Sequence, residues 1–182
     1  MLRPLPVAAA EVLRDVGAPP RLVAHLRAVH DVAAELVAWV LGRDGDVALD
    51  EAAVLFGAAT HDIGKALYPA ELSEPGSEHE HAGRDLLLAH GLSAELARFA
   101  ASHATWDAST ELDELLVSLA DKVWKGKRVE ELEDLVVARL AAASGRAVWE
   151  EFLELDTVLT RLGERADARL AYQMGFPVSG VE

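Results

Sequence analysis

The sequence predicts an all-α domain, and three observations carry the prediction. Ala, Leu, Val, Glu and Arg dominate a chain in which 51% of residues are hydrophobic but only 5% aromatic, a mix that favours helix over sheet. Apolar residues recur at helical spacing in segment after segment. The length, 182 residues, suits one domain with a buried core, with or without a helical extension, and is short for two. The expected architecture is a single helical bundle of about six to eight helices over residues 1–182.

The elements follow in order. After Pro19-Pro20, Leu22, Leu26, Val29, Ala33, Leu36, Val37 and Val40 mark one long amphipathic helix that stops at Gly42. The turn Gly42-Arg43-Asp44-Gly45-Asp46 leads to a second helix, starting near Leu49-Asp50-Glu51, where acids suit an N-terminal dipole, and running to about Asp62. Its stretch 52–59, AAVLFGAA, is apolar all round, so protein should enclose it. PAELSEPG at 69–76 reads as loop, followed by a helix from about Glu78 to His90 stopped by Gly91. Ser93 is a predicted N-cap for a helix running through His103. Further helices are expected over about 111–125, 129–143 and 146–173, with a loosely held tail from Gly175 to Glu182.

Composition excludes several classes of function. A formal charge of −14 repels a phosphate backbone, so a duplex nucleic acid is not the expected partner. The chain has no cysteine, which leaves His, Asp and Glu as the only ligands for any metal. The longest apolar stretch, Ala52 to Ala59, is far short of a membrane span. At the N-terminus Pro4 and Pro6 break the run from Val7 to Ala10 and Glu11 follows, unlike a secretory signal, so a cytoplasmic protein is expected.

The chemistry gathers on histidines. His61 and Asp62 are adjacent at the end of the helix expected to be most enclosed, and burying both without partners is unfavourable. Either a divalent metal offsets that burial or the pair sits wet at a helix end before Gly64. His103 follows Ala100, Phe99 and Leu96 at helical intervals and so points inward, as a ligand or as a hydrogen-bonded core histidine. Asp121 lies about 180° around its helix from Leu112, on a side flanked by Val117 and Trp124. A central helix with two buried faces accommodates both; an exposed Asp121 predicts solvent around Val117 and Trp124.

ATHDIGK at 59–65 resembles the signature of the HD superfamily of metal-dependent phosphohydrolases. The resemblance covers about residues 20–125 and implies a helical fold and a ligand set in the order His, His-Asp, His, His, Asp. In the family's context, Val29, Ala33 and Leu36 follow His25 at the expected intervals, which favours His25 over His30; His30 then becomes a surface residue or one standing behind a ligand. Gly83, four residues on, favours His79 over His81, leaving His81 and His90 as helix-end residues. Asp121 stands in the family's Ala-Asp-Lys context. The implied metal ligands are therefore His25, His61, Asp62, His79, His103 and Asp121, holding one or two divalent ions from among Mn, Fe, Co, Ni and Zn.

The resemblance further implies hydrolysis of a small phosphorylated metabolite or nucleotide, a monoester in preference to a diester, with Asp62 bridging metals or orienting water. Lys65 would neutralise charge on the phosphoryl group, or is an ordinary solvated lysine. Three of the four lysines, Lys122, Lys125 and Lys127, lie with Arg128 just past Asp121, either receiving a phosphorylated substrate or completing a helix C-terminus. Arg84 and His79 are further candidate phosphate contacts. The subclass that cleaves cyclic dinucleotides shows paired histidines and a Gly-Tyr-Pro element downstream, whereas here His103 is followed by Ala104-Thr105-Trp106, which disfavours that subclass. Two alternatives remain: diiron oxygenase chemistry on the same ligands, and a non-catalytic metal- or ligand-binding module. The last third carries no motif, and its apolar Trp149, Phe152, Leu153 and Leu159 close the core or pair subunits in a homodimer.

Overall fold

The computed structural model describes residues 2–43 and 47–178. Within them are nine α-helices and no strand: α1 Val7–Asp15, α2 Pro20–Leu41, α3 Glu51–Thr60, α4 Glu78–Ala89, α5 Ala94–Ser102, α6 Leu112–Val123, α7 Glu130–Ser144, α8 Val148–Gly163 and α9 Ala166–Met174. Two short 3₁₀ turns, Ile63–Ala66 and Pro69–Leu72, join α3 to α4. No described helix is long and apolar enough to cross a membrane.

The count exceeds the expected range at the two ends. Pro4 and Pro6 precede α1 rather than break it: Pro6 stands at the N-cap, where a missing amide is harmless, and Ala9, Val12 and Leu13 bury one face. The helix expected over 146–173 is two helices, α8 ending at Gly163 and α9 beginning after Arg165. The break turns α9 so that the buried Arg169 donates to the carbonyls of Leu162, Val123 and Trp124, at the C-terminal ends of α8 and α6. The tail is partly held, since Arg21 donates to the Phe176 carbonyl through Nε and to the Pro177 carbonyl through its backbone amide. Residues 179–182 of that tail, and Asp44, Gly45 and Asp46 of the first turn, lie outside the described residues.

α3 lies at the centre. From Val54 and Ala58 it feeds a core with Val32, Leu36, Leu116 and Leu119; from Phe56 and Ala59 it feeds a second with Leu13, Leu22, Leu26 and Leu87. It is enclosed by α1, α2, α5 and α6, as an all-round apolar sequence demands. Asp50 caps it by accepting from the Ala53 amide at 3.0 Å, and Ser93 caps α5 by accepting from the Leu96 amide at 3.3 Å. On the inner side Gly57 faces Phe99, whose ring atoms lie as close as 2.5 Å to where a Cβ would sit, so a side chain there would displace the ring.

α6 is the second central helix. Leu112, Leu115, Leu116, Leu119 and Val123 bury one side, and Val117, Asp121 and Trp124 bury the other. α7 and α8 cover α6 from the C-terminal side. α8 has two apolar faces: Leu155, Val158, Leu159 and Leu162 enter the core, while Trp149, Phe152 and Leu153 are exposed. Leu159 therefore belongs to the core and not to a surface that could pair subunits.

Candidate metal centre

The helices end where the chemistry begins. α3 stops at Thr60, so His61 is its C-cap and Asp62 follows just past its end, and both are buried, at 0% and 2% exposure, rather than wet. The 3₁₀ turn that follows brings Gly64 against α4. A Cβ on Gly64 would lie 2.0 Å from the His79 carbonyl and 2.7 Å from the Gly83 amide, so this backbone-to-backbone approach needs a glycine at 64, and at Gly83 a Cβ would sit a tight 3.1 Å from the Gly64 amide nitrogen. That approach sets His79 beside Asp62. α2 supplies His25, α5 presents His103 at its C-cap, and α6 supplies Asp121 from its second buried side.

The six side chains meet around the Asp62 carboxylate, and its two oxygens face different partners. Oδ2 is 3.1 Å from His25 Nε2 and 3.7 Å from His61 Nε2, with Asp121 Oδ1 3.7 and 3.5 Å from the same two nitrogens. Oδ1 is 3.0 Å from His79 Nε2 and 3.4 Å from His103 Nε2. His25, His61 and Asp62 each bring one candidate ligand atom within 4.8 Å of the others, and Asp62, His79 and His103 do the same. Asp62 belongs to both.

Tautomers can be read from the outer nitrogens, because carbonyls and carboxylates only accept. His61 Nδ1–H donates to the Ala58 carbonyl at 3.0 Å, and His103 Nδ1–H to the carbonyls of Ala100 and Phe99 at 3.1 and 3.3 Å. His79 Nδ1–H donates to Glu71 Oε2. In their neutral forms these rings turn Nε2 lone pairs towards carboxylate oxygens. Asp62 Oδ1 and His79 Nε2 are buried, close and yet misaligned for a hydrogen bond, so neither has a partner. Such an arrangement is repulsive until a cation stands between the donors, and His nitrogen with Asp oxygen is the donor set of first-row divalent metals. The residues present fit a metal.

The acids respond to this concentration of donors. Burial works to raise the Asp62 pKa, but when the surrounding rings carry a second proton the His61 charge and the close Nε2–H groups of His103, His25 and His79 hold it well below the usual carboxylate range. Asp121 is likewise held low against burial by His61 and Lys122. Both carboxylates are thereby kept ionised, the state a metal requires.

A cavity of about 330 Å³ opens onto the centre, with His25, Asp62, His79, His103 and Asp121 in its wall and Lys65, Lys122 and Lys125 beside them. Lys65 Nζ is 2.6 Å from Asp62 Oδ2 and Lys122 Nζ is 2.7 Å from Asp121 Oδ2. Lys125 is exposed at the rim. The remaining predicted cations go elsewhere: Lys127 is exposed and does not line the cavity, Arg128 pairs with Glu133 and Asp156, and Arg84 is exposed, pairs with Asp85 and does not line the cavity. His81 and His90 are exposed. His30 is buried at 4% exposure, about 140° around α2 from His25, and so is neither a surface residue nor a neighbour of the centre.

Three residues of the site escaped the sequence reading. Glu71 lay in a segment read only as loop. Trp124, considered only as a marker of burial, packs edge-on against His25 with ring centres 4.8 Å apart. Gln173 reaches the cavity from α9, where no motif or spacing pointed to it. The HD domain family model matches residues 22–125, the segment that contains all six converging side chains. No curated protein and no solved structure matches the chain. With a family model covering more than half its length and a buried His/Asp cluster at the signature, the chain belongs to the HD domain family.

Proposed function

We propose that the protein is a metal-dependent phosphohydrolase acting on a small phosphorylated metabolite or nucleotide, with phosphomonoesters preferred over diesters. The observation that carries this reading is the sharing of the Asp62 carboxylate between two ligand groups, one on each oxygen. One or two divalent ions held by His25, His61, Asp62, His79, His103 and Asp121 would supply a nucleophile from water at neutral pH and a Lewis acid for a phosphoryl oxygen.

The chain's own groups supply the rest. Asp62, ionised and fixed from both sides, orients the attacking water. Lys65 and Lys122, each already on a carboxylate at the cavity wall, carry positive charge to the place where phosphoryl charge builds. Lys125 at the rim offers an approaching dianion a landing point on a surface that is otherwise repelling. The cavity of about 330 Å³ beside these lysines has room for a phosphate group. Arg84 stands outside this arrangement, so the substrate contacts proposed are Lys65, Lys122 and Lys125. We read α7–α9 as part of the same domain, since α9 packs on α2 and lends Gln173 to the cavity. Trp149, Phe152 and Leu153 on α8 are the surface on which a homodimer would form.

The test is elemental analysis together with a screen of phosphomonoesters and phosphodiesters, on the unsubstituted protein and on a His61→Ala, Asp62→Ala double variant. The unsubstituted protein should carry divalent metal and release phosphate, and the variant should lose both. Retention of both by the variant would sink the proposal. Oxygen uptake by iron-loaded protein without phosphate release would replace hydrolysis with oxygenase chemistry.

A further inference from the structure

The histidines of the centre are not held alike. His61 and His103 lean on backbone carbonyls, whereas His79 leans on a carboxylate, that of Glu71 in the 3₁₀ turn Pro69–Leu72. The Glu71 side chain is only 10% exposed. Its two oxygens also accept the backbone amides of Glu78 and His79, at 3.2 and 3.4 Å, at the first turn of α4. Ser77, at the N-cap, makes no side-chain bond to these amides, so Glu71 caps the helix in its place. The loop closes tightly around this carboxylate: a Cβ on Gly76 would lie 2.5 Å from Glu71 Cδ and Oε1.

One carboxylate thus fixes both the helix that carries His79 and the ring itself. Because a carboxylate accepts only, it keeps the His79 proton on Nδ1 and leaves the Nε2 lone pair beside Asp62 Oδ1. An anionic acceptor on the outer nitrogen also makes an imidazole a stronger donor to metal than a carbonyl does. We infer that Glu71 is a positioning residue that fixes the tautomer and orientation of His79 and thereby sets the affinity of the Asp62, His79 and His103 group for its divalent ion. The inference rests on the metal centre invoked for the proposed function and adds to it a residue outside the six ligands.

Capping and metal tuning can be separated by experiment. The probe is Zn²⁺ titrated against a chromophoric chelator, with thermal unfolding measured on the same metal-free samples. Glu71→Ala should weaken zinc binding by about 10- to 100-fold, the usual consequence of losing such a partner. Adding Ser77→Asp to Glu71→Ala supplies a conventional cap, which should return the lost Tm without returning the affinity. Glu71→Gln, which keeps a carbonyl oxygen for the helix amides, should fold and still bind zinc less tightly. If the Glu71→Ala, Ser77→Asp protein recovers its Tm and binds zinc as tightly as the unsubstituted chain, or if Glu71→Gln keeps full affinity, Glu71 is a helix cap and nothing more. If the unsubstituted chain takes up no zinc or other divalent ion, the metal centre itself is wrong and this inference falls with it.

Discussion

The C-terminal helices and the HD segment both bury ionisable side chains, but they do so differently. Around α7–α9, Glu133 receives Arg128 and the Val129 amide, Glu151 receives Arg43 and Ser144, and Arg169 donates to three carbonyls. Most of these groups are matched by protein, as buried charges must be if they are to hold a fold together, although Nε and Nη1 of Arg43 find no acceptor. In the HD segment, four histidines and two aspartates are buried chiefly against one another, and two of their converging atoms are left without partners. The first pattern serves stability; the second gives up stability to hold a site ready for a cation.

The contrast can be broken most forcefully at the glycine contact that builds the second pattern. Gly64→Ala forces a Cβ against the backbone of His79 and Gly83, and should cost about 3 kcal/mol, the upper end for overpacking, while abolishing metal uptake. Thermal unfolding and elemental analysis check it; a Gly64→Ala protein with normal Tm and metal content would show that the approach is not needed.

Next in size is the cation itself. Divalent metal at about 100 times its Kd should stabilise the protein by about 2.7 kcal/mol, roughly 5–10 °C in Tm for a chain of this size, and a chelator should reverse the gain. No shift with any of Mn, Fe, Co, Ni or Zn would mean that the cluster is merely a polar core. Arg169→Met tests the other region: losing the caps on α6 and α8 should cost about 2 kcal/mol, with metal stoichiometry unchanged. A loss of metal in that variant would join the two regions that the comparison separates.

The smallest effect concerns His30, which belongs to neither pattern. Burial lowers its pKa below the ordinary 6.5, with Arg3 and Arg27 acting in the same direction and Asp31 opposing. The unfolded chain then binds a proton that the folded chain resists, so this contribution is complete above pH 6.5 and is lost as pH falls from there towards the folded pKa. Without metal, the Tm of the unsubstituted protein should fall more between pH 7.5 and pH 5.5 than that of His30→Leu. Equal slopes would show that His30 titrates as if exposed.

Periodicity made most of the fold legible. The stripe of α2, the apolar length of α3 and the Ser93 cap each encode local structure through spacing alone. The two ends were less legible. A short helix after prolines is stabilised by burying Ala9, Val12 and Leu13, and the break before α9 by the reach of Arg169 to carbonyls distant in sequence. At the centre, the order of histidines and aspartates pointed to the six side chains that meet, while the physical reason for Gly83 emerged only as its contact with Gly64.

By itself, then, the sequence determined the helices whose apolar spacing repeats every turn, the absence of thiolate ligands and the order in which the candidate ligands occur. The tertiary structure decided which atoms face one another: that Asp62 turns one oxygen to each group of histidines, that Glu71 takes His79 while Arg84 stays outside, and that α9 reaches the cavity. The physical reason is range. Helix formation is governed by neighbours three and four residues away, whereas a ligand cluster is assembled from helix ends far apart in the chain, and their meeting depends on packing that no local spacing encodes.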